Sequence, residues 1–312
     1  MSGFNVVQPG LLTLIQDAGR FGYHGIGLTT GGPLDREAFF WANRLCENAL
    51  EATALEVSFG GLVLEAQVDT RIAVTGAQMP LKIAGQEAAA WETHAVKAGD
   101  KIELGFATAG SRAYLAVAGG FNVAAQFGST ATVTREGIGG LAGEKLQQGD
   151  QLLCAASGSE PRWQVPVAAR PNYGKFAELR VILGYQQASF DSVQQALFFS
   201  SEYTLSDRAD RMGFRLEGQP VKSTLDGILS EGICHGAIQI PADGQPIVLL
   251  NDRQTIGGYP KIGSVIARDT ARLAQLMPGA KVMFTQISME EAHNINCLET
   301  RRFMTTELVA LH

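Results

Sequence analysis

Thirty-six glycines in 312 residues, many in adjacent pairs (Gly31-Gly32, Gly60-Gly61, Gly119-Gly120, Gly139-Gly140, Gly257-Gly258), cut the apolar stretches of this chain into short pieces. Glycine weakens a helix interior by about 1 kcal/mol relative to alanine and is favoured in tight turns. A chain punctuated in this way reads as short strands joined by turns. Segments 62–65, 71–74, 101–104, 112–117, 179–183, 247–250 and 281–284 have strand length and β-branched or aromatic content. Their spacing predicts a mainly β chain of barrels or sandwiches. Helices are expected in few places: a helix capped by Asp35 and running to Leu45, shorter ones over 190–196 and 271–276, and a C-terminal helix over 289–311 after a Ser288 cap.

The length is about twice that of a typical domain, which predicts two domains. Residues 155–171, rich in Ala, Ser, Gly and Pro, are the linker candidate, giving domains over 1–160 and 170–312. A Gly turn feeding a strand occurs at Val96-Lys-Ala-Gly-Asp, Leu146-Gln-Gln-Gly-Asp and Leu276-Met-Pro-Gly-Ala. Each copy is an ordinary β-turn entry, and the first and last are also compatible with two related barrels. A net charge of −6 and a pI near 5.5 argue against a nucleic-acid partner, which needs a basic face. The hydrophobic share of 46%, with 18% charged residues and a mean hydropathy of +0.04, fits a compact soluble protein, and four widely spaced cysteines fit a reducing cytoplasm. The first residues lack a basic and apolar leader, and no stretch of 18 apolar residues predicts a membrane span.

Cys46, Cys154, Cys234 and Cys297 lie far apart with neither disulfide-framework nor zinc spacing. The five histidines form no H-E-x-x-H pair, so no metal is expected. No phosphate-binding glycine motif of the G-x-x-x-x-G-K or G-x-G-x-x-G type is present. Cys234 and His235 are adjacent, and adjacent strand side chains point to opposite faces, which disfavours a thiol–imidazole pair.

Three constellations carry the polar chemistry. The first joins Asp17 and Arg20 to Asp35 and Asn43 through Gly-rich turns whose N–H groups suit anions. Its other reading is structural, with Asp17 and Arg20 stapling a loop and Asp35 capping a helix. The second is Ser206 to Gly218, with three arginines in eight residues. It is either a surface ion-pair ladder or a clamp for carboxylate or phosphate, with Arg211 and Arg215 the favoured contacts. The third is the stretch 239–260, where the apolar strand 246–250 runs straight into Asn251, Asp252, Arg253, Gln254 and Thr255 and then Gly257-Gly258. Its amides Gln239, Gln245, Asn251 and Gln254 each donate and accept, which suits a neutral amide or urea group. Tyr259 and Lys261 close the stretch, and a tight loop held by Asp252 and Thr255 is its structural reading.

The blocks Gln8-Pro-Gly with Thr13 to Arg20, Gly32-Pro-Leu-Asp35 with Ala42-Asn43, Leu55-Glu56, Thr75-Gly76-Ala77, Tyr114 to Gly120, Ser206 to Arg215 and Gln239 to Pro260 resemble the biotin-dependent carboxyltransferase, or allophanate hydrolase subunit 2, family. The likeness runs over nearly the whole chain and leans to the C subunit of the ATP-dependent 5-oxoprolinase. It implies tandem cyclophilin-like β-barrel domains, and a protein that works with the A and B subunits of that enzyme to convert 5-oxo-L-proline to L-glutamate with ATP hydrolysis. The B-like component is the most direct partner. Related members imply two other roles: the carboxyltransferase part of a urea carboxylase, and a regulatory antagonist of a kinase inhibitor. Biotin would have to be carried on another polypeptide, because no Met-Lys-Met context occurs here.

In that setting Asp252 is expected as proton acceptor or orienter, Gln254 as the group holding the amide, and the backbone at Gly257 and Gly258 as donors to a developing anion. Arg211 or Arg215 would grip carboxylate or phosphate. Arg20, Asp35, Asn43, Gln239, Gln245, Asn251, Thr255, Tyr259 and Lys261 complete the expected contacts of an amide-recognising cleft.

Overall fold

A computed structural model describes residues 2–225 and 227–311. The chain forms two compact units: one holds the residues up to Phe21, Gly31–Tyr173 and those from Thr306 onward, the other Gly22–Thr30 and Gly174–Thr305. The protein is mainly β, as the glycine rhythm predicts, and every strand segment expected from the sequence is found.

In the first unit the strands make two antiparallel sheets. Six strands run in the order Gln151–Leu153, Gly3–Pro9, Leu62–Ala66, Lys101–Leu104, Leu81–Ile83, Gln86–Ala88, and five in the order Leu12–Gln16, Ala54–Ser58, Ala109–Val117, Thr70–Gln78, Thr93–Val96. Alternate residues of the two sheets, among them Phe4, Val6 and Leu64 from one and Val57, Ile72 and Leu115 from the other, meet in one apolar core. Helix α1 (Arg36–Leu45) covers the outer face of the five-stranded sheet, so Ala109–Val117 is buried on both faces. Tyr114 points at the helix side and meets Phe39 edge to face, with ring centroids 5.9 Å apart.

The second unit is a closed barrel of seven strands: Phe176–Leu183, Lys261–Val265, Ala237–Gln239, Ile247–Leu249, Gly213–Glu217, Tyr203–Ala209 and Lys281–Gln286. Only the closing pair, Phe176–Leu183 with Lys281–Gln286, is parallel. Helix α2 (Ser192–Ser200), capped by Asp191, packs Phe198 on Phe284 in a stacked pair with centroids 4.4 Å apart. Helix α3 (Ala267–Ala274) starts earlier than expected, because its polar first turn hides a fully buried Asp269 that binds Arg180 through both side-chain oxygens.

Helix α4 (Met289–Thr305) begins with a reciprocal cap: Glu291 N–H donates to Ser288 Oγ at 3.1 Å, and Ser288 N–H donates to Glu291 Oε2 at 2.8 Å. Ser288→Ala should lower stability by about 1 kcal/mol in chemical denaturation. No loss would mean the exposed helix end frays whether or not it is capped. The helix stops at Thr305 rather than continuing to 311, because Val309–Ala310 forms a strand with Trp163–Gln164. The stretch expected as a linker is tied down in the same region. Val165 is fully buried with its N–H on Trp91 O, and Arg71 donates to Pro161 O at 2.6 Å. Small residues and prolines there mark irregular backbone, not an absence of contacts.

The repeated Gly turn is one conformation used three times. Asp100, Asp150 and Ala280 each donate their N–H to the carbonyl three residues earlier, and the glycine before each has φ between 85° and 93°. In the first two copies the Asp carboxylate also accepts the N–H at the turn start, at 2.8 and 2.7 Å. The four cysteines are free; burial raises the thiol pKa of Cys46 to about 12 and that of Cys154 to about 11.

Candidate functional site

The outer face of the barrel in the second unit carries a pocket of about 510 Å³. Its floor follows from strand alternation. Phe214, Ile238 and Val248 point into the barrel and are buried, so Arg215, Gln239 and Ile247 point outward from the same three strands. Leu249, Ile233, Gln254, Tyr259 and the strand end Asp207–Asp210 are also part of its lining. Of the residues expected from sequence, the pocket therefore brings together Arg215, Gln239, Gln254 and Tyr259.

Gln239 is only 6% exposed, yet its carboxamide makes no hydrogen bond among the described residues. Gly257 lies directly beside it: a Cβ there would sit 2.9 Å from Gln239 Nε2 and 2.5 Å from Ile233 Cδ1. A side chain at 257 would have to push aside the ends of the Ile233 and Gln239 side chains, while the φ of Gly257 itself is ordinary. The residue is part of a short strand, with Gly257 opposite Glu231, and not of an open loop. Gly258 accepts the Ile228 N–H at 2.9 Å.

Lys261, across from Gln239 in the barrel, is buried and ion-paired to Glu231. Gln186 bridges the pair, donating to Glu231 at 2.8 Å and accepting the Lys261 N–H at 2.8 Å. Hydrogen bonds from Lys261 first, and then Tyr185, hold the Glu231 carboxyl below its ordinary range.

The loop after Leu249 is held from beneath. Asp252 accepts Arg211 Nε at 2.9 Å on one oxygen and Arg211 Nη2 at 3.0 Å on the other, and its N–H donates to Arg211 O at 2.9 Å. Both residues are buried, at 4% and 6% exposure. Arg211 is thus paired with Asp252, which leaves Arg215 as the pocket-lining member of the two arginines expected to grip a ligand, and of the two roles expected for Asp252 this pairing is the geometry of an orienter. Arg253 is also buried and donates to Ile233 O and Leu250 O. Asn251 Oδ1 accepts from His235 Nε2 at 3.1 Å, and Thr255 O accepts the Ile233 N–H. Burial, and next the Arg253 guanidinium, lowers the half-buried His235 to a pKa of about 4. Gln245 faces away from these groups and closes a turn, bonding Gly218 through both its oxygen and its nitrogen.

In the first unit the expected ligand contacts are engaged in holding the fold. Arg20 is 1% exposed and donates to the carbonyls of Gln126, Ser129 and Ala131. Asp17 grips the same loop through Ser129 and Thr130. Asn43 holds the turn after α1, donating to Leu50 O and Ala52 O. Asp35 caps α1 through Ala38 N–H and accepts the Tyr173 hydroxyl at 2.8 Å. Burial, then the Asp35 charge, pushes the Tyr173 hydroxyl well above its ordinary value.

Sequence reasoning missed Ile233, Ile247 and Leu249 as a pocket surface, and Gln186 and Tyr185 as partners of Glu231. Alternation along 247–249 places the two apolar residues on one face, but cross-strand register decides what they stand beside. Among the described residues no helix is long and apolar enough to cross a membrane, and no three acidic, His or Cys side chains are placed to hold a metal ion.

Comparison with known proteins shows the family. Residues 26–286 match the carboxyltransferase domain family, subdomain A and B. The chain is 38% identical over 290 residues to the 5-oxoprolinase C subunit of Escherichia coli, covering 92% of both proteins. It is 36% identical over 280 residues to the 5-oxoprolinase C subunit of Haemophilus influenzae, covering 89% of both. The crystal structure of Kluyveromyces lactis urea carboxylase superposes with a TM-score of 0.92 and 28% identity, over 98% of this chain and 29% of that one. The chain belongs to the carboxyltransferase domain family, subdomain A and B.

Proposed function

We propose that the chain acts as the C subunit of an ATP-dependent 5-oxoprolinase, converting 5-oxo-L-proline to L-glutamate in a complex with the A and B subunits. The observation that carries this reading is the likeness to two bacterial 5-oxoprolinase C subunits over about nine-tenths of their length. The urea carboxylase that superposes is more than three times longer than the part this chain covers. The B component is the most direct partner under this reading.

Ring opening requires an activated lactam carbonyl, and ATP, a co-substrate of the complex, supplies that activation. The residues of this chain bind and position. Gln239 and Gln254 hold the amide, Arg215 takes the carboxylate, and Tyr259 with Ile233 limits access of water. The Arg211–Asp252 pair fixes the loop that carries Gln254. Backbone N–H groups at Gly257 and Gly258 are the proposed donors to the developing oxyanion, where loss of one donor typically costs a factor of about 100–1000.

A second reading, carboxyl transfer from carboxybiotin borne by another polypeptide, is favoured by the close superposition on a urea carboxylase. Reconstitution separates the two. ATP-dependent glutamate formation is expected only when this chain is combined with the A and B subunits. An equal rate without the chain rejects the proposal, and biotin-dependent carboxylation of an amide without 5-oxoproline turnover supports the second reading.

A further inference from the structure

Glu231–Gly232 and Ile256–Gly257 form a two-stranded ladder outside the barrel. Residues opposite one another in a ladder share a face, and neighbours along a strand alternate. The face with Glu231 and Gly257 is turned to the barrel: Glu231 reaches Lys261, and a Cβ on Gly257 would press on the ends of the Gln239 and Ile233 side chains. The face with Gly232 and Ile256 is turned to water. A Cβ on Gly232 would meet nothing within 4 Å, and Ile256 is 58% exposed. Nearby Leu229 is 94% exposed.

This strap is held unequally along its length. At its root Ile233 is buried against Ala237 and Leu249, its carbonyl accepts Arg253 Nε at 3.1 Å, and its N–H donates to Thr255 O at 3.0 Å. Beyond the root, no residue of 228–232 or 256–258 is buried. The ladder and the Ile228 N–H bond to Gly258 O close that part on itself. Its fastening to the barrel is the Glu231 carboxylate, which accepts from Lys261 Nζ, from Gln186 Nε2 at 2.8 Å and from the Tyr185 hydroxyl. A segment with few buried apolar contacts and water-exposed backbone bonds opens at low free energy. Lifting it also lets water reach the Lys261 ammonium, so that charge is solvated when its partner leaves.

We propose that 228–232 and 256–258 act as a latched strap, which Glu231 fastens to Lys261 and Gln186 and which swings away from Gln239 when that latch parts. The hinge lies just outside Ile233 and Thr255, where packing and the Arg253 guanidinium stop. Ile233, Gln239, Gln254 and Tyr259 all line the pocket, so the state of the strap sets access to it. Glu231 and Lys261 are thereby positioning residues that touch no reacting atom.

The test is amide hydrogen exchange on the full chain. In the wild type the Ile228 amide should exchange faster than that of Ile233 at the root or of Val265, which donates to Gly236 O in the barrel. Glu231→Ala should speed exchange at Ile228 about tenfold or more, as for loss of one hydrogen bond to a charged group, and leave Ile233 and Val265 unchanged. Lys261→Met should act alike, and the double variant should exceed neither single, because both remove one link. Lys261→Arg keeps the cation and should stay near the wild type. Glu231 is only half-buried, so its variant keeps the test open if Lys261→Met fails to fold.

For turnover the inference rests on the proposed function. In the reconstituted complex Glu231→Ala should raise the KM for 5-oxo-L-proline about tenfold and leave kcat within a factor of about three. Unchanged exchange at Ile228 in Glu231→Ala, or acceleration shared equally by Ile233 and Val265, overturns the strap. Faster exchange with an unchanged KM in an active complex overturns its control of the pocket. If the wild-type complex forms no glutamate, the proposed function is rejected and exchange alone decides the strap.

Discussion

Asp252→Ala is expected to lower the stability of the second unit by about 3–5 kcal/mol, because it takes a two-pronged carboxylate partner from the buried Arg211 guanidinium. Burying an ion pair costs desolvation of both charges, so removing one partner is far worse than removing both. The double variant Asp252→Leu with Arg211→Met should therefore recover much of the loss. Urea titration reads the effect as a lower midpoint at constant slope. A loss under about 1 kcal/mol would show that water reaches the pair and relieves it, as for surface ion pairs. The same pair separates two roles for Asp252 in turnover. As a positioning residue, Asp252→Asn lowers turnover in the reconstituted complex without moving the pH profile. Loss of the acidic limb of that profile would restore Asp252 as the proton acceptor.

Stability should fall by about 2 kcal/mol between roughly pH 6.5 and pH 4 through His235 alone, a figure that discounts the full linkage of the shift for its partial exposure. The sign follows from the direction. Folding lowers the pKa of His235, so the unfolded chain binds a proton at a higher pH than the folded chain does. Its contribution is therefore fully present above about pH 6.5 and is lost as pH falls towards the folded value. His235→Gln keeps a donor for Asn251 Oδ1 and should flatten this part of the stability curve. Parallel curves for the wild type and the variant across that window would mean that His235 titrates normally.

What the sequence shows well here is what depends on neighbours along the chain. Glycine spacing identifies the strands, Asp35 and Ser288 mark helix starts, and outward alternation at Arg215 is correct. The motif blocks also place the family. The sequence shows poorly what register and burial decide. Asp252 and Arg211 read as two chemical groups awaiting a ligand, and only the fold shows that they satisfy one another across 41 residues. Gln239 and Gln245 look alike as strand-flanking amides, but one lines the pocket and the other closes a turn on Gly218. Ile247 gains meaning only from what stands on either side of it in the sheet.

The strand Val309–Ala310 has a consequence for how the chain is made. It completes its pairing with Trp163–Gln164 in the first unit, although the whole barrel of the second unit is encoded in between. During synthesis this ladder stays open until the segment that encodes the second unit has been made. Completion of the first unit thereby waits on the second, and a chain lacking 309–310 would expose a ready strand edge at Trp163–Gln164.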